Sequence, residues 1–290
     1  MHLLIMLISL IIACWLRCSR IASPDNWPGN WHLAWRRSLF LFLFPPALIF
    51  STAIAVLFMG TQGTMGGLYT DSISYILALV SLTFFSILCV KLALEGCLSI
   101  QSVHQCPQID LTGKQVRLLE TAALFAGQVG FWRPELVVSQ GLLQTLSPIH
   151  LESVLAHEQG HYHYRDTFWF FWLGWVRSCT IWLPNTEFLW QDLLMLREIR
   201  ADSYAAAQVD PLILAESLLL VVSSNPVASE ICCAALGTSI SIPEPCRKHR
   251  LEQRIEALLA PVDCFSEIPG FSWHIFLLVL LPLLTVLFHS

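Results

Sequence analysis

Residues 148–166 read Pro148-Ile-His-Leu-Glu-Ser-Val-Leu-Ala-His-Glu-Gln-Gly-His-Tyr-His-Tyr-Arg-Asp166. Ser147 ahead of Pro148 is a helix start signal, with serine at the N-cap and proline at the first helical position, where its missing N–H costs nothing. The pattern predicts a helix over about 148–164. Inside it, His157-Glu158-Gln159-Gly160-His161 places two imidazoles four residues apart, so both can point at one ion from one helix face. Two neutral ring nitrogens suit zinc better than magnesium or calcium, which prefer oxygen. Glu158 is placed to hold the attacking water and take its proton. The competing reading is a pair of helix histidines satisfied by hydrogen bonds alone.

A catalytic zinc takes three protein ligands and keeps one position open. Residues 192–208 read as a second helix, in which Glu198, Ala201, Asp202 and Ala205 share a face. The alanines allow close approach to the first helix, so Glu198 is the expected third ligand. Asp202, one turn on, is expected to accept the free ring N–H of a zinc histidine. His163 and Tyr204 are candidate oxyanion stabilisers, each with a competing packing role. Arg165-Asp166 reads as a structural ion pair. Leu136, Val137 and Val138 form a short strand after Pro134, and residues 115–124 fit strand or helix equally. Gly127 and Gly130 read as turn punctuation. A helix over about 246–259 reads as packing on one face and solvated charge, including Arg254, on the other.

Away from these helices the chain is greasy. Of 290 residues, 55% are hydrophobic and only 13% charged, with 11 Trp and 17 Phe. Soluble domains carry roughly 25% charge, so composition excludes a disordered chain and points to a bilayer. A net charge of −5 gives no case for direct nucleic-acid binding. Apolar runs predict spans at 3–18, 39–59, 73–94 and 272–290, the second with Pro45-Pro46 inside it. The first run lacks a preceding Lys or Arg and a small-x-small cleavage site, so it reads as a retained anchor.

Arg17, Arg20, Arg36 and Arg37 crowd the first loop, the loop at 60–72 has no basic residue, and all other Lys and Arg except Lys91 fall between Lys114 and Arg254. The positive-inside rule then puts both termini outside and residues 96–271 in the cytoplasm. His161 and Glu198 must reach one ion, so the chain between them crosses the bilayer an even number of times. The apolar run 168–183, which contains Arg177 and is rich in Trp, is therefore expected to be re-entrant or in-plane rather than a span. The ten cysteines are scattered without a CxxC pair and are expected to be reduced. The expected class is a mainly α membrane protein: three helices in residues 1–95, an α+β zincin-like metallopeptidase domain with a small sheet, and a last helix.

Over about residues 124–207 the chain resembles the BlaR/MecR-type membrane zinc metallopeptidases and, more distantly, HtpX-type proteases. The resemblance rests on Val137-Val-Ser-Gln-Gly-Leu-Leu143, Val154-Leu-Ala-His-Glu-Gln-Gly-His161 with Arg165-Asp166, Trp182-Leu-Pro-Asn185, and Glu198 with Asp202, with a fainter echo from Arg254 to Leu259. It implies Zn2+ held by His157, His161 and Glu198, Glu158 as general base, and four spans with the zinc domain between the third and fourth. It also implies a bacterial plasma membrane location and a cytoplasmic winged-helix repressor as substrate. Metallopeptidases of this general kind bind substrate along a sheet edge, a role the strand at 136–138 can fill or, as an internal core strand, cannot. Ala201 ahead of the second aspartate is closer to the HtpX pattern. The antibiotic-sensing members continue past the last span into a penicillin-binding domain, whereas this chain stops at Ser290, so direct β-lactam sensing is not expected. Three functions stand open: a signalling zinc endopeptidase, a membrane quality-control protease, or a non-proteolytic receptor or scaffold with structural zinc.

Overall fold

The start signal at Ser147 is used. In the computed structural model, which describes residues 2–18, 31–61, 64–65, 68–69, 72–111, 113–223, 244–259 and 273–288, the zinc-motif helix is Pro148–His163 with Ser147 at its N-cap. In chain order the helices are α1 (His2–Cys18), α2 (Trp31–Met59), α3 (Ser72–His104), α4 (Gln140–Thr145), α5 (Pro148–His163), α6 (Asp166–Cys179), α7 (Thr186–Ala206), α8 (Pro211–Ser223) and α9 (Glu244–Leu259). A short α10 (Leu281–Leu284) sits between 3-10 segments Trp273–Leu280 and Thr285–Phe288.

The strands are β1 (Thr64–Met65), β2 (Leu68–Tyr69), β3 (Gln108–Leu111), β4 (Lys114–Leu119), β5 (Ala126–Val129) and β6 (Glu135–Ser139). β1 and β2 form a two-stranded ribbon, and the other four make a mixed sheet in the order β3-β4-β6-β5. β6 runs parallel to β4 and antiparallel to β5, with Val137 opposite both Arg117 and Gly127. This topology decides one open reading and corrects another. Residues 136–138 lie in an interior strand, the edge strands are β3 and β5, and Gly127 of β5 sits in extended pairing rather than in a turn. Val137 and Val138 are buried because both faces of β6 are covered: by Leu142 and Val154 on one side, and by Ile100 and Val103 of α3 on the other.

α2 and α3 are long and apolar enough to cross a membrane, whereas α1 and Pro211–Val222 are shorter apolar helices. α2 continues through Pro45 and Pro46. α3 runs ten residues beyond the expected end of its span and carries that end into the sheet. The stretch at 168–183 is α6 and the turn after it. With 14 residues, α6 is about 21 Å long and too short to cross roughly 30 Å of hydrocarbon. It forms a hairpin with α7, and Phe170, Leu173 and Val176 pack with Leu189, Trp190 and Leu193 against Phe42 of α2. Arg177 pairs with Glu187 of the returning helix at 2.8 Å, so its charge does not face apolar surroundings alone. The turn is closed by Thr186 Oγ1 donating to the Thr180 carbonyl and by Asn185 at φ 56, whose Nδ2 donates to the Arg17 carbonyl.

The sequence sets how closely α5 and α7 approach. A Cβ built on Gly160 would lie 3.1 Å from the Ala201 Cα, and Ala201 itself is fully buried. Only small residues fit at this crossing. Ala201→Leu is therefore expected to cost about 1–3 kcal/mol by overpacking and to spread the two helices. A lower thermal midpoint together with weakened metal retention would show it, and an unchanged midpoint would contradict the packing.

Candidate metal centre and its cavity

His157 and His161 point their Nε2 atoms at each other across 3.1 Å, with their rings at 88°. Glu198 of α7 completes the group, with Oε2 at 3.5 Å from His157 Nε2 and Oε1 at 3.8 Å from His161 Nε2. The three candidate ligand atoms lie within 4.8 Å of one another. Each ring is held from behind by a carboxylate. His157 Nδ1 is 2.7 Å from Asp202 Oδ1, and His161 Nδ1 is 2.8 Å from Asp166 Oδ2. If both Nδ1–H groups donate to these carboxylates, both Nε2 lone pairs face the same point. Lone pairs are stable so close together only around a cation, or with one ring protonated. That donor set fits a metal taking two nitrogens and one carboxylate oxygen, as zinc does.

Arginines lock the carboxylates in turn. Arg254 of α9 grips Asp202 with Nε at 2.7 Å and Nη2 at 2.8 Å, while its Nη1 lies 3.4 Å from Glu198 Oε2. Arg200 hydrogen-bonds Asp166 and stacks over Trp35 and Tyr164 at 4.4 and 4.3 Å. Arg197 donates twice to Glu198 Oε1. Burial pushes the Glu198 carboxyl up, but Arg197, His161 and the His157 hydrogen bond bring it well below the usual carboxylate range. Burial pulls the His157 imidazole down, yet Asp202 and Glu198 reverse this and hold it at about 10.

Two of these contacts lie outside the sequence reading. Asp166 supports His161, whereas its expected partner Arg165 sits at φ 53 in the turn between α5 and α6. Arg254 is a largely covered clamp on Asp202 and not a solvated charge. Asp166 lies five residues past a candidate ligand, which is a usable signal; for Arg254 the only signal is the faint family echo from Arg254 to Leu259. His163 and Tyr204 stack on each other with centroids 5.0 Å apart and are not among the residues that line the cavity.

The triad opens into a cavity of about 550 Å³. Glu158 is buried in its wall, and Gln128 of β5 donates to the Glu158 carbonyl at 3.3 Å. The other walls come from α3 (Cys89, Ala93, Gly96), α6 (Phe171, Trp172) and α8 (Leu214, Leu218). The cavity thus joins a charged floor to apolar sides, one of them belonging to a helix of membrane-crossing length.

Residues 107–223 match the family model described as peptidase family M48, which supports a metallopeptidase of that family. The match covers the sheet and α4 to α8. Comparison with curated proteins and with solved structures returns no match.

The His157 proton gives a signed expectation. With its folded pKa raised, the contribution to metal-free stability is complete below pH 6.5 and is lost as pH rises through about 10. Zinc competes for the same ring, so its uptake near pH 8 is expected to release about one proton. Calorimetric titration in buffers of different protonation enthalpy measures this, and zero release would contradict it. Asp166→Asn is expected to weaken zinc affinity by about 10–100-fold, read by competition with a chromogenic chelator.

Proposed function

We propose that the chain is a membrane-embedded zinc endopeptidase that hydrolyses peptide bonds of a protein substrate. The observation that carries this is the convergence of His157, His161 and Glu198 beside the buried Glu158 at the floor of one cavity. Zinc, when held there, supplies a Lewis acid and lowers the pKa of water to about 7. Glu158 takes the proton of the attacking water and returns it to the leaving amine. Asp202 and Asp166 keep the two rings in the ligating tautomer. The guanidinium of Arg254, in the same cavity, meets the charge developing on the carbonyl oxygen.

Substrate lies along β5, which among the described strands pairs with β6 alone. Gln128 of this strand lines the cavity, and its buried Oε1 has no hydrogen-bond partner among the described residues. A purely structural zinc would have no use for Glu158 at this position.

The wider reading places spans at 3–18, 39–59, 73–94 and 272–290, both termini outside, and the zinc domain at 96–271 in the cytoplasm of a bacterial cell. The distribution of Lys and Arg supports that orientation. The BlaR/MecR resemblance makes a cytoplasmic winged-helix repressor the first substrate to test. An HtpX-like quality-control role is the second reading, favoured by Ala201 ahead of Asp202 and by the α3 wall of the cavity.

Glu158→Gln is expected to abolish proteolysis of a casein or candidate-repressor substrate while zinc content stays at the wild-type level. Full activity in that variant would refute the mechanism, and loss of zinc with loss of activity would move Glu158 from base to structural support.

A further inference from the structure

One rim of the cavity is not used by the peptidase reading. The turn after β5 carries Phe131 and Trp132 onto the start of α6. The Phe131 ring lies 4.9 Å from Phe168 and 5.1 Å from Phe171, and Trp132 lies 4.9 Å from Phe168, centroid to centroid. Trp132 is nevertheless 69% exposed and Trp169 is 57% exposed. The turn is tightly built: Gly130 has φ 139, and a Cβ there would meet the Pro134 Cα at 2.8 Å. A fixed turn therefore presents an aromatic surface that folding alone leaves largely bare.

The level of this surface follows from contacts along α3. Trp175 donates its indole N–H to the carbonyl of Phe85, in the middle of the apolar run. One turn earlier on α6, Phe171 and Trp172 share the cavity wall with Cys89 and Ala93. Two turns earlier stand Phe168 and Trp169. Moving back along α6 thus moves forward along α3, and the aromatic patch lies level with the end of the run, where Lys91 and Glu95 pair. Only 17% of the most apolar window of α3 is buried, so the patch continues an apolar face that the protein leaves uncovered.

We propose that Phe131 and Trp132, with the Phe168, Trp169 and Trp172 face of α6, form a second membrane contact that docks into the phospholipid headgroup zone. Indole rings favour that zone because they join a large apolar body to one N–H donor. Arg133, exposed beside Trp132, and Lys91 supply cations for lipid phosphates. Continuity with α3 and these flanking cations favour lipid over a protein partner. Because β5 ends in this turn, docking fixes the height of the edge strand and of the cavity mouth above the bilayer. The inference does not depend on the peptidase chemistry; it depends on α3 crossing a membrane.

The test uses the full chain in nanodiscs of phosphatidylcholine and phosphatidylglycerol, with a photoactivatable phosphatidylcholine whose diazirine lies near the acyl carbonyls. Adducts are mapped by mass spectrometry. The expected result is labelling of 131–133 and 168–172 together with α3. Trp132→Ser, at a largely exposed site, is expected to lower the yield at 168–172 several-fold while leaving α3 adducts unchanged, and Trp132→Phe is expected to retain most of it. Labelling of α3 with none at 131–133 or 168–172 would overturn the proposal. So would protein–protein crosslinks through the patch, which would assign it to a second copy. An absence of α3 adducts would remove the membrane placement and the docking with it.

Discussion

The site depends on one constraint: two imidazole lone pairs must be held facing the same point. The back-side carboxylates impose it, and each is immobilised by an arginine from a different part of the chain. Asp202 is gripped by Arg254 and Asp166 by Arg200. Satisfying the two rings therefore requires α5, α6, α7 and α9 to be in place together. A buried charge without its partner is costly, so removing any member exposes the rest. The small residues Gly160 and Ala201 let α5 and α7 come close enough for Glu198 to reach both rings.

The same network reaches the membrane region. Arg200, while bonded to Asp166, stacks on Trp35 near the start of α2, and Phe42 of α2 packs into the α6–α7 hairpin. His161 is thus three contacts away from a helix of membrane-crossing length, through Asp166 and Arg200 to Trp35. The cavity wall repeats this theme, since Cys89 and Ala93 of α3 face the same space as His157. The metal centre, the hairpin and the apolar helices pack together, and within them the short α6 carries Arg177 paired with Glu187.

Much of this was legible in the chain. The helix at 148–163, the strand at 135–139 and the triad of His157, His161 and Glu198 follow from spacing, because a helix turn fixes which side chains share a face. That 168–183 is no simple span was expected from requiring two ligands on one side of the bilayer, and the 14 residues of α6 agree with it. What was not legible depends on partners distant in sequence. Whether 136–138 forms an edge or an interior strand stayed open because pairing order is a tertiary property: Val137 reads as strand in either place. Arg254 looked solvated because its partner Asp202 lies 52 residues away. His163 and Tyr204 carried suitable chemistry, but the helix rotation stacks them on each other outside the cavity.

The most direct test is zinc K-edge X-ray absorption on the purified full chain. The account predicts one zinc per chain with nitrogen and oxygen neighbours near 2.0–2.1 Å, two of them imidazoles, and no sulfur shell. A scattering shell near 2.3 Å would place the metal on cysteine thiolates, and a protein purified in the presence of zinc that holds none would leave the triad without its ion; either result would contradict it.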